Sequence, residues 1–288
     1  MPIDLAKAKS AVLPPFEHRY EEKDVIFYAL SVGACAQDPT DPKELSFCYE
    51  NAPEGLKVLP TFGVVPPFRA LAGIFSVPGI EVNPLMILHG EQYLEIRKHP
   101  IPTRGVLKTT PRIQNIYDKG KGALILLDTI TVDEKGEEVF FNTFSLFARG
   151  EGGFGGERGP EPGNEPPNRP PDKVHEEPTA QNQALLYRWN GDLNPLHADP
   201  NVAQMVGFPK AILHGLCTFG FVGRAILRHY CDYQPERFRS IKVRFSSHVF
   251  PGETLITEMW QEGKSVIFKA RTKERGLDVI TNARVELA

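Results

Sequence analysis

Long apolar runs are missing from this chain of 288 residues. The longest uncharged apolar stretch, Ala211 to Gly223, contains His214 and falls short of the roughly 20 residues a bilayer-spanning helix needs. It is expected to be a buried helix, so no membrane span is expected. An excess of one charge is missing too: 33 Lys and Arg stand against 36 Asp and Glu, a formal net charge of -3. That balance excludes a nucleic-acid or membrane-surface binder working by bulk electrostatics. Cysteine is scarce. Cys35, Cys48, Cys217 and Cys231 form no C-x-x-C pair and no metal-ligand spacing, which fits reduced, partly buried thiols. A signal peptide is not expected either, because Met1 to Ser10 already carries Asp4, Lys7 and Lys9.

Proline is abundant, with 26 residues, and its distribution organises the chain. Seven glycines and seven prolines fall between Gly150 and Pro178. Such a stretch cannot hold a long helix or a central strand, so it reads as a linker. The expected division is an N-terminal domain over 1–149, a linker over 150–177 and a C-terminal domain over 178–288. The linker contains Gly150-x-Gly152-x-x-Gly155, formally a dinucleotide-loop pattern. A dinucleotide loop needs a helix opening directly after it, to aim backbone N–H groups at the pyrophosphate. Glu157-Arg158-Gly159-Pro160 follows instead, so no dinucleotide site is expected.

The two parts look like divergent copies. Asp24 to Gly33 parallels Gln183 to Gly191, and Leu59 to Val64 parallels Leu216 to Phe221. In the second copy Ile241, Val243 and Phe245 alternate with polar residues, as do Leu255, Thr257 and Met259. Val266, Phe268 and Ala270 repeat the pattern, then Val279, Thr281, Ala283 and Val285. Period-two runs at this spacing predict an antiparallel meander with one face needing cover. The apolar helix from about His214 to Tyr230 would provide it. In the first copy Pro66-Pro67 would interrupt the matching helix, leaving it short and leaving spare volume inside that sheet.

Thr179 is expected to cap a short helix through Leu185, Leu186, Tyr187 and Trp189, ended by Asn190-Gly191; Asp199-Pro200 should open the next, with Gly207 as its stop. Between the two helices, Asp192, Asn194 and His197 share one tight loop stiffened by Pro195. A carboxylate and an imidazole held this way can share one water, as general acid–base catalysis requires. Asp and Asn on such a loop can equally serve to bond their own backbone. A metal site built on His197 and Asp199 lacks third and fourth ligands at useful spacing, so no metal is expected.

Tyr187, Gly191, Asp192, Asn194, Pro195, Leu196, His197 and Ala203 follow a pattern of an aromatic, then Gly-Asp-x-Asn-Pro-aliphatic-His, then a small residue six positions on. In this the chain resembles the type 2 enoyl-CoA hydratases, relatives of the MaoC-like dehydratases. The resemblance continues through Ile212 to Gly220, Ile87 to Glu95 and Gly152 to Gly156, and so covers nearly the whole chain. Asn190 departs from the small residue usual before Gly191. The two-domain form resembles the hydratase 2 units of peroxisomal β-oxidation.

This resemblance implies an α+β class and a double hot dog fold: two antiparallel sheets, each wrapping a central helix, the N-terminal one shortened. It implies a hydro-lyase that reversibly hydrates trans-2-enoyl-CoA to (3R)-3-hydroxyacyl-CoA in fatty acid β-oxidation. Asp192 and His197 would hold and activate the water and manage the C2 proton. Asn194 would support the loop and the substrate, and the Gly215 backbone N–H would face the thioester oxyanion. His89, Gly90, Lys119 and Phe245 match acyl-CoA-binding positions, whereas His214 is taken as structural. Coenzyme A enters as part of the substrate, with no further cofactor and no metal. In the first copy Val32 to Pro39 has no matching His, so the N-terminal domain would house the acyl tail. A homodimer is expected by resemblance. So is a peroxisomal location, although Glu286-Leu287-Ala288 is not a Ser-Lys-Leu type of address; a cytoplasmic location is the alternative. A non-catalytic acyl-CoA-binding protein and an acyl-CoA thioesterase are the competing functions.

Overall fold

The computed structural model describes residues 3–288. Ten strands among the described residues carry the fold. They are β1 (Phe16–Tyr20), β2 (Ile87–Ile96), β3 (Gly105–Asp118), β4 (Gly122–Val132), β5 (Glu138–Arg149), β6 (Lys173–Pro178), β7 (Phe238–Phe245), β8 (Thr254–Glu262), β9 (Ser265–Thr272) and β10 (Asp278–Leu287). Seven α-helices accompany them among the described residues: α1 (Leu5–Ser10), α2 (Glu22–Ser31), α3 (Pro42–Leu45), α4 (Ala70–Gly73), α5 (Gln183–Tyr187), α6 (Pro200–Met205) and α7 (Gly215–Tyr230).

The internal duplication is visible in the strand order, β1-β3-β4-β5-β2-β7-β10-β9-β8-β6. Read outward from the β2–β7 seam, the first half runs 2-5-4-3-1 and the second 7-10-9-8-6, the same order shifted by five. Rather than two separate sheets, the halves form one continuous antiparallel sheet. At the seam Glu91 pairs with Arg244 and Leu94 with Ile241. Each half begins with a strand at an outer edge, β1 or β6, that the alternation did not announce. β6 occupies the end of the Gly/Pro-rich stretch. As an edge strand paired only with β8, it needs no continuous hydrophobic pattern. Pro111 inside β3 is tolerated for a related reason. β1 covers β3 only from Gly105 to Thr109, so Pro111 lies where β3 is itself an edge.

The cover over the second half is α7, on which every residue from Leu216 to Leu227 is buried. Its glycines admit the first half. A Cβ on Gly223 would stand 2.4 Å from Thr61 Cγ2, so only glycine allows this approach. The single charge in that run, Arg224, is met by Glu44 at 2.6 Å and Glu177 at 2.8 Å, one carboxylate from each half. Burial of a charge at this depth requires such partners.

In the first half the matching segment is only a 3-10 turn over Pro60–Val64, and the chain turns at Pro66-Pro67 before the four-residue α4. The shortened helix is therefore present. Around Gly63 the segment is closely packed, with a would-be Cβ 2.7 Å from Phe140 and 2.8 Å from Leu94. Thr179 does not cap α5. Its hydroxyl donates to the Glu253 carbonyl at 2.8 Å and accepts the Gly252 N–H at 2.9 Å, while Asn182 takes the cap position. Asp199 does cap α6, accepting the Asn201 N–H, and Gly207 follows with φ +91.

Candidate active site

The loop between α5 and α6 is assembled from backbone chemistry. After α5 the chain makes a 3-10 turn over Arg188–Asn190 and reverses at Gly191, whose φ of +113 suits glycine. Asn190, the departure from the family pattern, fastens the turn. Its amide donates to the Tyr187 carbonyl at 2.9 Å and to Ser31 Oγ of α2 at 2.8 Å. Asp192 then accepts the Asn194 N–H at 3.2 Å, and Asn194 accepts the Leu196 N–H at 3.1 Å, capping the 3-10 turn Pro195–His197. Both Asx residues thus bond their own loop, and in doing so they hold Asp192 and His197 in place.

His197 is buried, and its Nδ1 bonds the Ile212 carbonyl at 2.9 Å. A carbonyl only accepts, so Nδ1 carries the proton and the neutral ring presents a lone pair at Nε2. Burial lowers the His197 pKa below 6.5, while the Asp192 charge works the other way. Burial likewise raises the Asp192 carboxyl above its ordinary 3.8, opposed by His197 and by the Asn194 N–H. Groups whose environments push them towards neutrality in a recess suit proton transfer near neutral pH.

His214, expected to be structural, belongs to this cluster. Its ring stacks on His197 with centroids 3.8 Å apart and planes 28° apart, and the tilted ring of Tyr187 has its centroid 5.0 Å away. Nε2 of His214 bonds the Asp192 carbonyl at 3.1 Å. Burial, then the neighbouring His197, lowers its pKa to about 2. Its signal in the sequence is its place immediately before Gly215 in the Ile212 to Gly220 stretch.

Asp192, His197 and His214 each offer a ligand-type atom within 4.8 Å of the others, so the third group that the sequence spacing did not supply is present. Their arrangement suits a metal poorly. Imidazoles sharing one ion at about 2.0–2.1 Å must aim their in-plane lone pairs at a common point. Two nearly parallel rings 3.8 Å apart aim them side by side.

Gly215 opens α7, whose first intrahelical bonds run from the Cys217 and Thr218 N–H groups to the His214 carbonyl. The N–H groups before these face outward from a positive helix end, suited to a developing oxyanion. A Cβ on Gly215 would come within 3.3 Å of the Phe245 ring. Phe245 in turn meets His89 edge-on at 5.0 Å. His89, its pKa brought down to about 4 chiefly by burial, bonds the Glu91 carbonyl at 3.1 Å. Gly90 lies at a register shift between β2 and β5. His89, Gly90, Phe245 and Gly215 thus form a second group beside the loop. Lys119 stands apart, in the β3–β4 turn with its Nζ 6.0 Å from the Tyr117 ring centre. It lies on the same end of the sheet as His89 but three strands along, roughly three spacings of about 4.8 Å.

The glycine-rich pattern has a different use. The N–H groups of Gly120, Gly153 and Gly155 converge at 2.8 to 2.9 Å on the Asp118 carboxylate. These bonds, that of Gly153 foremost, hold Asp118 below the ordinary aspartate range. The donors a phosphate would need already serve the protein's own anion.

Residues 18–150 match the family described as MFE-2 hydratase 2 N-terminal domain, and residues 163–283 the MaoC like domain. Over 98% of its length the chain is 44% identical to a probable enoyl-CoA hydratase 2 of Dictyostelium discoideum, covering 96% of that protein. Peroxisomal multifunctional enzyme type 2 of Mus musculus is 47% identical over 96% of this chain, which spans 37% of the mouse protein. The crystal structure of a MaoC-like dehydratase from Phytophthora capsici superposes with a TM-score of 0.87 at 36% identity, covering 99% of both chains. With a duplicated hot dog architecture and matches along nearly its whole length, the chain belongs to the enoyl-CoA hydratase 2 family of MaoC-like hydro-lyases.

Proposed function

We propose that the protein reversibly hydrates trans-2-enoyl-CoA to (3R)-3-hydroxyacyl-CoA in fatty acid β-oxidation. The observation that carries the reading is that an Asp192 carboxylate oxygen and a His197 ring nitrogen lie within 4.8 Å of each other, while His197 Nδ1 is committed to the Ile212 carbonyl and Nε2 is left unprotonated. Between them they hold one water and take its proton as its oxygen bonds to C3. The electron pair of the C2–C3 double bond moves towards the thioester, whose oxygen becomes enolate-like and accepts the Gly215 N–H. A proton returned from the pair to C2 completes the addition and restores neutrality. Asn194 keeps the loop in register. The (3R) course comes with the family, as does the placing of substrate against His89, Gly90 and Phe245.

Lys119 is assigned to a CoA phosphate through the family resemblance. The division into a domain over 1–149 for the acyl tail, a linker over 150–177 and a catalytic domain over 178–288 is part of the same reading, except that Lys173–Pro178 forms the edge strand β6 of the second half, so the linker ends before it. The absence of a full-length helix in the first half supports the division. Coenzyme A is the only cofactor-like group, as part of the substrate, and no metal takes part. A homodimer and a peroxisomal location follow the relatives. No helix among the described residues is long and apolar enough to cross a membrane.

Incubation of the purified protein with trans-2-decenoyl-CoA tests the reading. The expected product is 3-hydroxydecanoyl-CoA. Release of free CoA would identify a thioesterase instead, and binding without turnover a non-catalytic acyl-CoA-binding protein.

A further inference from the structure

Three buried or convergent polar groups lie outside the acid–base pair: the Arg224 ion cluster, the glycine cradle on Asp118, and His214. The first two are fully partnered. His214 is not. Its ring is 1% exposed, and its Nδ1 is buried without a hydrogen-bond partner among the described residues. A buried histidine serving packing alone would be replaced at lower cost by an apolar ring, since an unpaired polar nitrogen in the interior is penalised.

We infer that His214 is a positioning residue for the hydration reaction, acting through Asp192 and His197. Two contacts define the role. The Nε2–H donates to the Asp192 carbonyl at 3.1 Å, fixing the backbone from which the carboxylate projects. The ring face, 3.8 Å from His197, sets the plane in which the His197 Nε2 lone pair lies. Because the Asp192 carbonyl only accepts, His214 is held as the Nε2–H tautomer, the opposite of His197 with its proton on Nδ1. The two stacked rings thus have complementary anchors, one on the loop carbonyl and one on the Ile212 carbonyl.

The role requires His214 to stay neutral, because a second cation against His197 would withdraw its lone pair from use. The titratable and charged groups bearing on it are His197, Asp192 and Arg188, with the Tyr187 ring tilted against it at 5.0 Å. Burial, any positive charge on His197 and the Arg188 charge act against protonation, outweighing the bond to the Asp192 carbonyl, which acts the other way. His214 therefore contributes no ionisation of its own to the activity profile. It sets that of His197 by covering one face of the ring, and so helps to desolvate it.

The inference rests on the hydratase reading, so its test includes a measurement independent of turnover. Nitrogen-15 NMR of histidine-labelled protein should show His214 as the Nε2–H and His197 as the Nδ1–H tautomer. The reverse assignment, or a His214 cation at neutral pH, would overturn the inference whatever the enzyme does. In kinetics, His214→Phe keeps a ring and loses the donor. The expected result is a fall in kcat of about 10- to 100-fold, the scale of small misplacements at a reacting group, with KM little changed. His214→Gln restores a donor without the ring; it should recover part of kcat and move the acid limb to higher pH as water reaches His197. Unchanged kcat in His214→Phe, or an acid limb unmoved in His214→Gln, contradicts the role. Absence of hydration by the unaltered protein would instead overturn the hydratase reading, leaving the tautomers to decide this one.

Discussion

Arg224 donates to Glu177 at 2.8 Å from the middle of α7, and the same guanidinium reaches Glu44 at 2.6 Å. One cation therefore ties β6 of the second half and α3 of the first to the helix beneath the loop. Burial by itself would raise the Glu177 pKa, but the Arg224 charge, with help from His175, holds it below the ordinary 4.5. Glu177→Gln leaves Arg224 paired with Glu44 alone and loses one charge-assisted hydrogen bond in the interior, so it should cost about 1.5–3 kcal/mol at neutral pH. The sign with pH follows from the lowered value. The stabilisation is fully present above the unfolded value of about 4.5 and is lost as pH falls through the folded one. Denaturant unfolding across pH 7 to 3 should therefore show the two proteins converging in acid. A constant difference would contradict the account.

Gly223 tests the contact between the halves. Alanine there would place its methyl 2.4 Å from Thr61 Cγ2, and neither α7 nor the buried Pro60–Val64 turn has room to retreat. Overpacking of this kind costs about 1–3 kcal/mol. Gly263→Ala is not a fair control, since its φ of +64 adds strain; Ala225→Gly, on the same buried helix, separates lost packing from steric conflict. A Gly223→Ala protein as stable as the wild type would show that the halves are not pressed together there.

How far these relationships were visible beforehand differed with their range. The alternation in β7 to β10 and the uncharged run of α7 are local patterns, and both elements formed where they indicated. β1 and β6 escaped because an outer-edge strand buries few side chains; in β6 only Glu177 is buried. Thr179 carried a helix-cap signal but spends its hydroxyl on the Gly252–Glu253 turn, a tertiary partner that no local pattern reveals. Asp192 and His197 were legible because one short loop carries both. His214 was not, since its stacking on His197 depends on α7 starting beside that loop. The Arg224 cluster draws its members from positions 44, 177 and 224, with nothing in the intervening sequence to join them.

The acid side of the activity profile follows from His197. In the proposed mechanism its neutral form is the competent one, and burial lowers its pKa below 6.5. kcat/KM should accordingly stay level as pH falls through 6.5 and decline only below it. Asp192 opposes that lowering, so in Asp192→Asn the residual activity should keep its plateau to still lower pH. An acid limb centred above 6.5 would place the essential base elsewhere.

The first half has its own test. If it houses the acyl tail, each further buried methylene adds about 0.8 kcal/mol of binding, close to fourfold. The kcat/KM for a ten-carbon enoyl-CoA should then exceed that for a four-carbon one by at least about tenfold, the remainder of the gain being offset by ordering the chain. Equal values for the two substrates would mean that the tail is not held.

The central claim, that Asp192 and His197 together carry out water addition, is tested most directly by the rate of 3-hydroxydecanoyl-CoA formation in Asp192→Asn and His197→Ala. Each substitution should lower kcat by about 10²- to 10⁴-fold, the usual contribution of a positioned acid or base, with KM changed far less. The double variant should be little worse than the poorer single one, because the two groups act on one water. Full activity in either single variant would contradict the account.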